Sequence, residues 1–471
     1  MTAHSDNCHD SCPPQRPGLA PEAASTSYLD ATSAEVDAAV ERAQQRQEAA
    51  GQGRAAPVPD YWERLRRAVE ETELAADIRH IVHDLHAHPE TAFEEYRSQQ
   101  VLCDLLEKHG HRVVRGAYGV ETAFSSQVTS PGYEPGRHPR VVIMAEYDAL
   151  PGIGHACGHN VIAAAGVGAY LAAARAIDAA APVCIELQGT PAEEGHTGKE
   201  YMIRGGSLDG VDAALMIHGF GYDIAEHVWV GRRSATVTFH GTAAHASSQP
   251  FMGKNALDAA SLMYQGLGLH RQQMPPSDRL HAVIAEGGTR PSVVPDRAVV
   301  EVYARSLRTE TLLELSRRVD DIARGAALMA GVGVEIAWDP HPMSLPVRNN
   351  SALATRWSAT QRRRGRAPLP AGIIPDSLAA STDFGNVSQL VPGIHPMVQV
   401  SPREVALHTE AFAHWSATES AERAALDSAV GLAQVAFDYA ADPQLRADAH
   451  AEFAASGTVS VESLLRAEGS Q

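Results

Sequence analysis

Three short runs, RVVIMAEY, VCIELQGT and DAALMIHG, constrain the fold most, because each is dominated by apolar residues and each stops abruptly in a loop. Strands buried on both faces read as unbroken apolar runs of this kind, and they belong to mainly parallel sheets covered by helices. Between the first two lies NVIAAAGVGAYLAAARAI, Ala-rich and helical in pattern. Strand, helix and strand in this order predict an α/β layered domain.

A different grammar runs from Trp229 to Leu345. It opens with the alternating strand SATVTFHG, continues through a helix in KNALDAASLMYQGLGLH, and passes two strands, LHAVIAEGG and RAVVEVYARS. The helix TLLELSRRVDDIARGAALMA and the strand VGVEIAW close it. The β-α-β-β-α-β order is the split, ferredoxin-like pattern. The stretch therefore reads as an inserted α+β domain, after which ALATRWSATQRRRG, the strand PMVQV and a final Ala-rich helix resume the α/β text. A chain of 471 residues has room for both, since single cores stop growing beyond about 250–300 residues. The expected units are an outer domain in two pieces, 57–228 and 346–445, the insertion 229–345, and a C-terminal tail 446–471. Residues 1–56 are poor in large apolar groups and read as a mostly disordered extension, with a helical tendency in EVDAAVERAQQRQEAA.

Composition removes several classes of function. A net charge of -18 with scattered arginines argues against a nucleic-acid partner. No run approaches the roughly 18 apolar residues of a spanning helix, so a membrane protein is not expected. The segment MTAHSDNCHDSCPPQRPG lacks the basic and apolar regions of a secretory signal, which predicts a cytoplasmic protein. The five cysteines show no regular spacing and no disulfide framework. Cys103 and Cys184 read as small core residues, while Cys8 and Cys12, with His4 and His9, fall in a polar tail that is either disordered or a weak metal binder.

The chemistry-bearing residues gather where the strands end. AEYDALPGIGHACGHN follows one strand and precedes a helix, and loops at the carboxyl ends of parallel strands are where such sheets bind ligands. Cys157 and His159, one residue apart, can face one cavity as thiolate and imidazole ligands of a Zn²⁺- or Mn²⁺-type ion. After the next strand, PAEEGHTGK carries Glu193 and Glu194. Adjacent side chains in an extended loop diverge, so one glutamate can hold a metal while the other takes a proton from an attacking water. Taken alone, the pair reads equally as a solvated acidic turn. His218 ends the third run and His408 follows in VALHTEAF. Either histidine by itself would be an ordinary hydrogen-bonded residue, but clusters at successive strand ends point together to a site for one or two metal ions.

The ensemble HPETAFEEY, AEYDALPGIGHACGHN, TPAEEG, MIHG, GTAAHASSQP and STDFG resembles the M20 metallopeptidases. Within them it is most similar to the amidohydrolase branch of aminobenzoyl-glutamate hydrolases, auxin-conjugate hydrolases and aminoacylase-1-like dipeptidases. The likeness spans roughly residues 65 to 440. It implies a zinc-peptidase-like, mainly parallel-sheet catalytic domain with an inserted ferredoxin-like dimerisation or lid domain. It implies Cys157, His159, Glu194, His218 and His408 as ligands of one or two divalent ions (Mn²⁺, Zn²⁺ or Co²⁺), Glu193 as general base and Asp148 as the carboxylate that orients a ligand. It further implies a homodimer in which His245 of GTAAHASSQP reaches the partner's site and hydrogen-bonds the oxyanion. Arg305, in VYARS, is either a clamp on a substrate carboxylate or an ordinary strand-edge arginine. Two departures stand out. Ser292 occupies a position where relatives commonly have Asn, which puts one substrate-side hydrogen bond in doubt. Asn160 replaces an Asp found in much of the branch, which narrows the subgroup without touching catalysis.

The activity expected is hydrolysis of an amide in a dipeptide, an N-acyl amino acid or an aminobenzoyl-glutamate-like conjugate. Two alternatives stay open: hydrolysis of a non-peptide C–N bond such as an aromatic amine, and a non-catalytic partner subunit, although all six ligand and base residues are retained.

Overall fold

The computed structural model describes residues 25–51 and 59–469. The group of Cys8, Cys12, His4 and His9 lies outside them. Its strands in chain order are β1 (Val113–Arg115), β2 (Phe124–Thr129), β3 (Arg140–Glu146), β4 (Cys184–Thr190), β5 (Ala213–Leu215), β6 (His218–Phe220) and β7 (Gly231–His240). They continue with β8 (Arg279–Glu286), β9 (Arg297–Ser306), β10 (Gly333–Trp338), β11 (Gly393–Ile394) and β12 (Met397–Gln399).

The apolar runs become the middle of a six-stranded sheet ordered β1-β2-β4-β3-β5-β11. The β4, β3, β5 and β11 pairings are parallel, while β2 joins β4, and β1 joins β2, antiparallel. All of β4 and all but the first residue of β3 are buried, as their composition demands. The helix His159–Arg175 lies against β3, and a Cβ on its Gly166 would come within 2.9 Å of Ala145 Cβ and the Met144 carbonyl oxygen. Glycine inside a helix costs about 1 kcal/mol against alanine. Here it permits the close approach that holds the helix, with His159 at its N-terminus, flat on the sheet. The helix Glu419–Ala441 covers its other side, and both join one apolar core with the helices Asp60–Glu70 and Leu74–Ala87. Cys103 and Cys184 are buried, as expected.

The insertion has its own four-stranded antiparallel sheet, ordered β10-β7-β9-β8, and its own core. Between β7 and β8 runs the helix Ala256–His270, and between β9 and β10 the helix Thr309–Ala330, so the β-α-β-β-α-β order is realised. Val237, Phe239, Val300 and Val302 on the sheet pack against Met263, Leu267, Leu312 and Val319 of the helices.

Two expectations at the ends of the chain need correction. Part of the N-terminal extension forms the helix Ser27–Gly51. Its Val36, Val40 and Ala43, spaced one helical turn apart, are buried against Ile224, Trp229, Leu369 and Met397. Too few apolar groups announced it, because three small side chains suffice when the partner surface is already assembled. The expected tail is also structured, as the helices Pro443–Ser456 and Val461–Gly469. Leu445 and Ala449 join the main core, and Val461 packs on Met343 and Leu345. Among the described residues, no helix is long and apolar enough to cross a membrane.

Candidate metal centre

The Asp148–His159 and Glu193–Glu194 clusters follow the carboxyl ends of the main-sheet strands β3 and β4, while His218 and His408 come from the neighbouring two-stranded sheet and the loop beyond it. Beyond β3 the chain passes Asp148 and reaches Cys157, and Gly158, at φ +78°, turns it into the helix that begins at His159. Beyond β4, Glu193 and Glu194 follow Thr190 by three and four residues. His218 was expected to close the third strand. Instead β5 stops at Leu215 and His218 opens β6, which pairs with β12 in a separate two-stranded sheet. His408 sits in a loop beyond β12, tied back by its backbone N–H to the Ala156 carbonyl at 2.9 Å. Ala192, Thr197 and His408, all flanking this region, hold φ near +60°. Such left-handed backbone costs an ordinary residue about 1 kcal/mol or more, and it clusters where a site dictates the geometry.

These four loops bring six side chains into one cluster. Cys157 Sγ lies 3.5 Å from His218 Nε2 and 3.5 Å from His408 Nε2. His408 Nε2 is 3.6 Å from Glu194 Oε1. Ligand-type atoms of Cys157, His159 and His218, of Cys157, Glu194 and His408, and of His159, Glu193 and Glu194 form three overlapping groups, each within 4.8 Å. Asp148 holds the arrangement from behind. One of its oxygens accepts from His159 Nδ1 at 3.0 Å, and the other accepts the Glu194 backbone N–H at 2.8 Å. His218 Nδ1 likewise donates to the Gly219 carbonyl at 2.7 Å. With both Nδ1 atoms committed as donors, the Nε2 lone pairs are left to face the cluster.

This donor set fits a divalent cation. His159 Nε2 and Glu194 Oε1 are buried without a hydrogen-bond partner. A buried polar atom left unpaired costs about 1–3 kcal/mol, and a cation shared by a thiolate, imidazoles and a carboxylate removes that cost. Burial and mutual charge set the protonation tendencies of the cluster. Burial, then the Glu194 charge, pushes Glu193 well above the usual carboxylate range. Burial and Glu194 also raise the Cys157 thiol. Burial together with His159 drives His218 down to about 3, so it is a neutral, ligand-ready imidazole. For His159, burial pulls downward but Asp148 and Cys157 outweigh it.

A cavity of about 500 Å³ opens over the cluster, lined by Cys157, Glu193, Glu194, His218 and His408 on one side. On the other side stand Arg232, Tyr303 and Arg305 of the inserted sheet. His245 and Ser292 do not line it. They lie on two adjacent exposed loops of the insertion, after β7 and between β8 and β9, joined by the Ala246 N–H donating to the Ser292 carbonyl. Asn160 is structural, its side chain donating to the Val82 and Ser416 carbonyls.

Sequence reasoning missed a buried charge group behind the site. Lys199 Nζ is ion-paired to Glu146 and, at 2.7 Å, to Asp383, and Glu146 in turn lies 3.5 Å from His159 Nε2. The three are separated by tens to hundreds of residues along the chain, so spacing carried no signal. Asp383 lies in the STDFG motif, but no role was attached to it. Arg232 was missed as well, because it lies in β7 just ahead of the alternating run SATVTFHG.

Comparison with known proteins decides the family. The profile of peptidase family M20/M25/M40 matches residues 142–427. The chain belongs to that family. A member of peptidase family M20/M25/M40 with this site is a metal-dependent hydrolase of amide bonds. The chain is 35% identical to the mouse Xaa-Arg dipeptidase over 396 residues, 82% of this chain and 91% of the relative. It is 33% identical to one of the subunits of the p-aminobenzoyl-glutamate hydrolase of Escherichia coli K12 over 272 residues, 54% of this chain and 55% of that one. The fold is shared with the crystal structure of an aminobenzoyl-glutamate utilization protein from Klebsiella pneumoniae, with a TM-score of 0.61 at 20% identity, covering 78% of this chain and 96% of that one.

Proposed function

We propose that this enzyme of the M20 family hydrolyses the amide bond of a dipeptide, an N-acyl amino acid or an aminobenzoyl-glutamate-like conjugate. The observation that carries the reading is the convergence of five ligand-type side chains around Glu193 beneath one cavity, which all but the fully buried His159 line. Cys157, His159, Glu194, His218 and His408 would hold one or two divalent ions, Mn²⁺, Zn²⁺ or Co²⁺, since the three overlapping groups share members. When bound, such an ion polarises the substrate carbonyl and makes water acidic enough to attack near neutral pH.

The chain's own residues supply the rest. Glu193, acting as the carboxylate, would take the proton of the attacking water and return that same proton to the leaving amine. Asp148 keeps His159 in the tautomer that presents Nε2. Arg305 offers a planar fork to a substrate carboxylate. His245 and Ser292 act from a second copy of the chain, in a homodimer formed through the inserted domain. His245 Nδ1 accepts the Ser247 and Ser248 N–H groups, which puts its proton on Nε2 as a donor for a developing oxyanion. The inserted domain also exposes Phe251, Met252, Leu269, Leu328 and Met329, apolar surface that suits association. Cys103, Cys157 and Cys184 are free thiols, in keeping with a reducing, cytoplasmic setting.

The test is a hydrolysis screen of Mn²⁺- or Zn²⁺-loaded protein against dipeptides, N-acyl amino acids and p-aminobenzoyl-glutamate. Turnover of at least one class is expected, lost on chelation and restored by metal. Turnover that survives complete removal of metal contradicts the reading.

A further inference from the structure

Two guanidinium groups face the metal cluster across the cavity, and neither has a carboxylate partner among the described residues. Arg232 on β7 and Arg305 on β9 are directly opposed in the antiparallel ladder, so their side chains project from the same face. Both stack on the ring of Tyr303, which lies two residues from Arg305 on that face, at 5.3 and 5.1 Å from its centroid. Arg232 is only 7% exposed. Its Nη2 reaches the Gly195 carbonyl at 3.2 Å and Thr197 Oγ1 at 3.3 Å, both neutral acceptors on the loop that carries Glu194. Arg305 makes no side-chain hydrogen bond or ion pair with any described residue. By contrast Arg233, adjacent in sequence and also buried, meets both Asp339 and Glu468.

Two like charges held side by side without counter-ions repel, and taking them out of water is costly. A ligand that brings two anionic groups relieves both costs, and each guanidinium presents a fork matched to a carboxylate. A substrate of this enzyme supplies one carboxylate from the amino acid released by hydrolysis. The second is supplied by the same residue when its side chain is acidic. Resting on the amide-hydrolase reading above, we propose that the cavity selects amides whose leaving residue is aspartate or glutamate, with Arg305 and Arg232 sharing its two carboxylates. The same pair excludes a leaving residue with a cationic side chain, because a third positive charge would be placed against two that are already unneutralised. This chain then differs in specificity from the Xaa-Arg dipeptidase it resembles.

The test uses the Mn²⁺-loaded full-length enzyme and matched dipeptides that differ only in the second residue: Ala-Glu, Ala-Asp, Ala-Gln and Ala-Arg. The expected kcat/KM for Ala-Glu or Ala-Asp exceeds that for Ala-Gln by about 100-fold, with Ala-Arg slower still. In Arg232→Gln the Glu-to-Gln ratio falls toward one, and the ratio is insensitive to a general loss of active enzyme. Because Arg232 also anchors the Gly195 loop, Arg305→Gln, which breaks no protein contact other than the ring stacking, serves as the second variant and loses the same preference. In parallel, free L-glutamate should raise the melting temperature of the wild type, with L-glutamine doing so much less and the effect absent in either variant. Hydrolysis with no preference for acidic residues, or with a preference for Ala-Arg, overturns the inference and leaves the amide-hydrolase reading intact. Glutamate-specific stabilisation without hydrolysis of any amide upholds the two-arginine subsite and overturns the reaction assigned to it. Absence of both overturns the two together.

Discussion

Asp148 and His159 are joined by a hydrogen bond of 3.0 Å between two fully buried side chains, and the same carboxylate holds the Glu194 backbone through its other oxygen. One residue thus orients an imidazole from the β3 loop and a carboxylate from the β4 loop. Asp148→Asn keeps the shape but can present an acceptor oxygen to only one of the two donors, its amide nitrogen then facing the other. Loss of such a partner typically weakens metal binding about 10- to 100-fold. Metal titration of the apo variant, followed by calorimetry, checks this; affinity equal to wild type would show that His159 needs no such support.

The charge group behind the site bears on stability rather than chemistry. Lys199 is 1% exposed and is ion-paired with Glu146 and Asp383, both fully buried. Lys199→Met would leave two carboxylates buried and unpaired, a change that costs about 3–5 kcal/mol. Denaturant unfolding should show a lowered midpoint of that size, whereas a loss below about 1 kcal/mol would mean that water reaches the group.

Glu95 gives a pH dependence with a definite sign. Its carboxyl is held up at about 7, against an ordinary 4.5, by burial and by the Asp148 charge, while one oxygen accepts the Ala192 N–H at 2.8 Å. The folded state therefore binds this proton more tightly than the unfolded chain. Stability from this group is fully present below 4.5 and is lost as pH rises through 7. Glu95→Gln keeps an acceptor for Ala192 and removes the titration. Unfolding measured from pH 5 to 8 should show the variant gaining on wild type by a few kcal/mol toward the alkaline end, and parallel profiles would contradict it.

Catalysis across a dimer can be tested by complementation. Glu193→Gln and His245→Ala should each be nearly inactive alone. If His245 serves the partner's site, a heterodimer of the two variants has one intact site, and equal mixing restores about a quarter of wild-type activity. No recovery in verified heterodimers would place His245 outside the partner's reaction.

What the sequence revealed and what it hid follow from the range of the interactions. The runs around β3, β4 and β5 were legible because burial on both faces leaves an unbroken apolar text, and the insertion because β7 to β10 alternate against two amphipathic helices. Cys157, His159, Glu193 and Glu194 were visible because each pair is local and sits at a strand end. His218 and His408 were weaker signals, since what makes them site residues is a convergence with Cys157 across 61 and 251 positions. The Lys199, Glu146 and Asp383 group, the docking of Val36 and Val40, and the facing of Arg232 with Arg305 depend wholly on tertiary contact or strand register. No periodicity in one chain reports them.

The central claim is that Glu193 moves the proton while its neighbours hold the metal. Metal content and kcat measured on the same preparation of Glu193→Gln test it directly. The expected result is metal stoichiometry equal to wild type with kcat reduced about 10²- to 10⁴-fold. Near-normal turnover, or loss of the metal itself, would contradict the assignment.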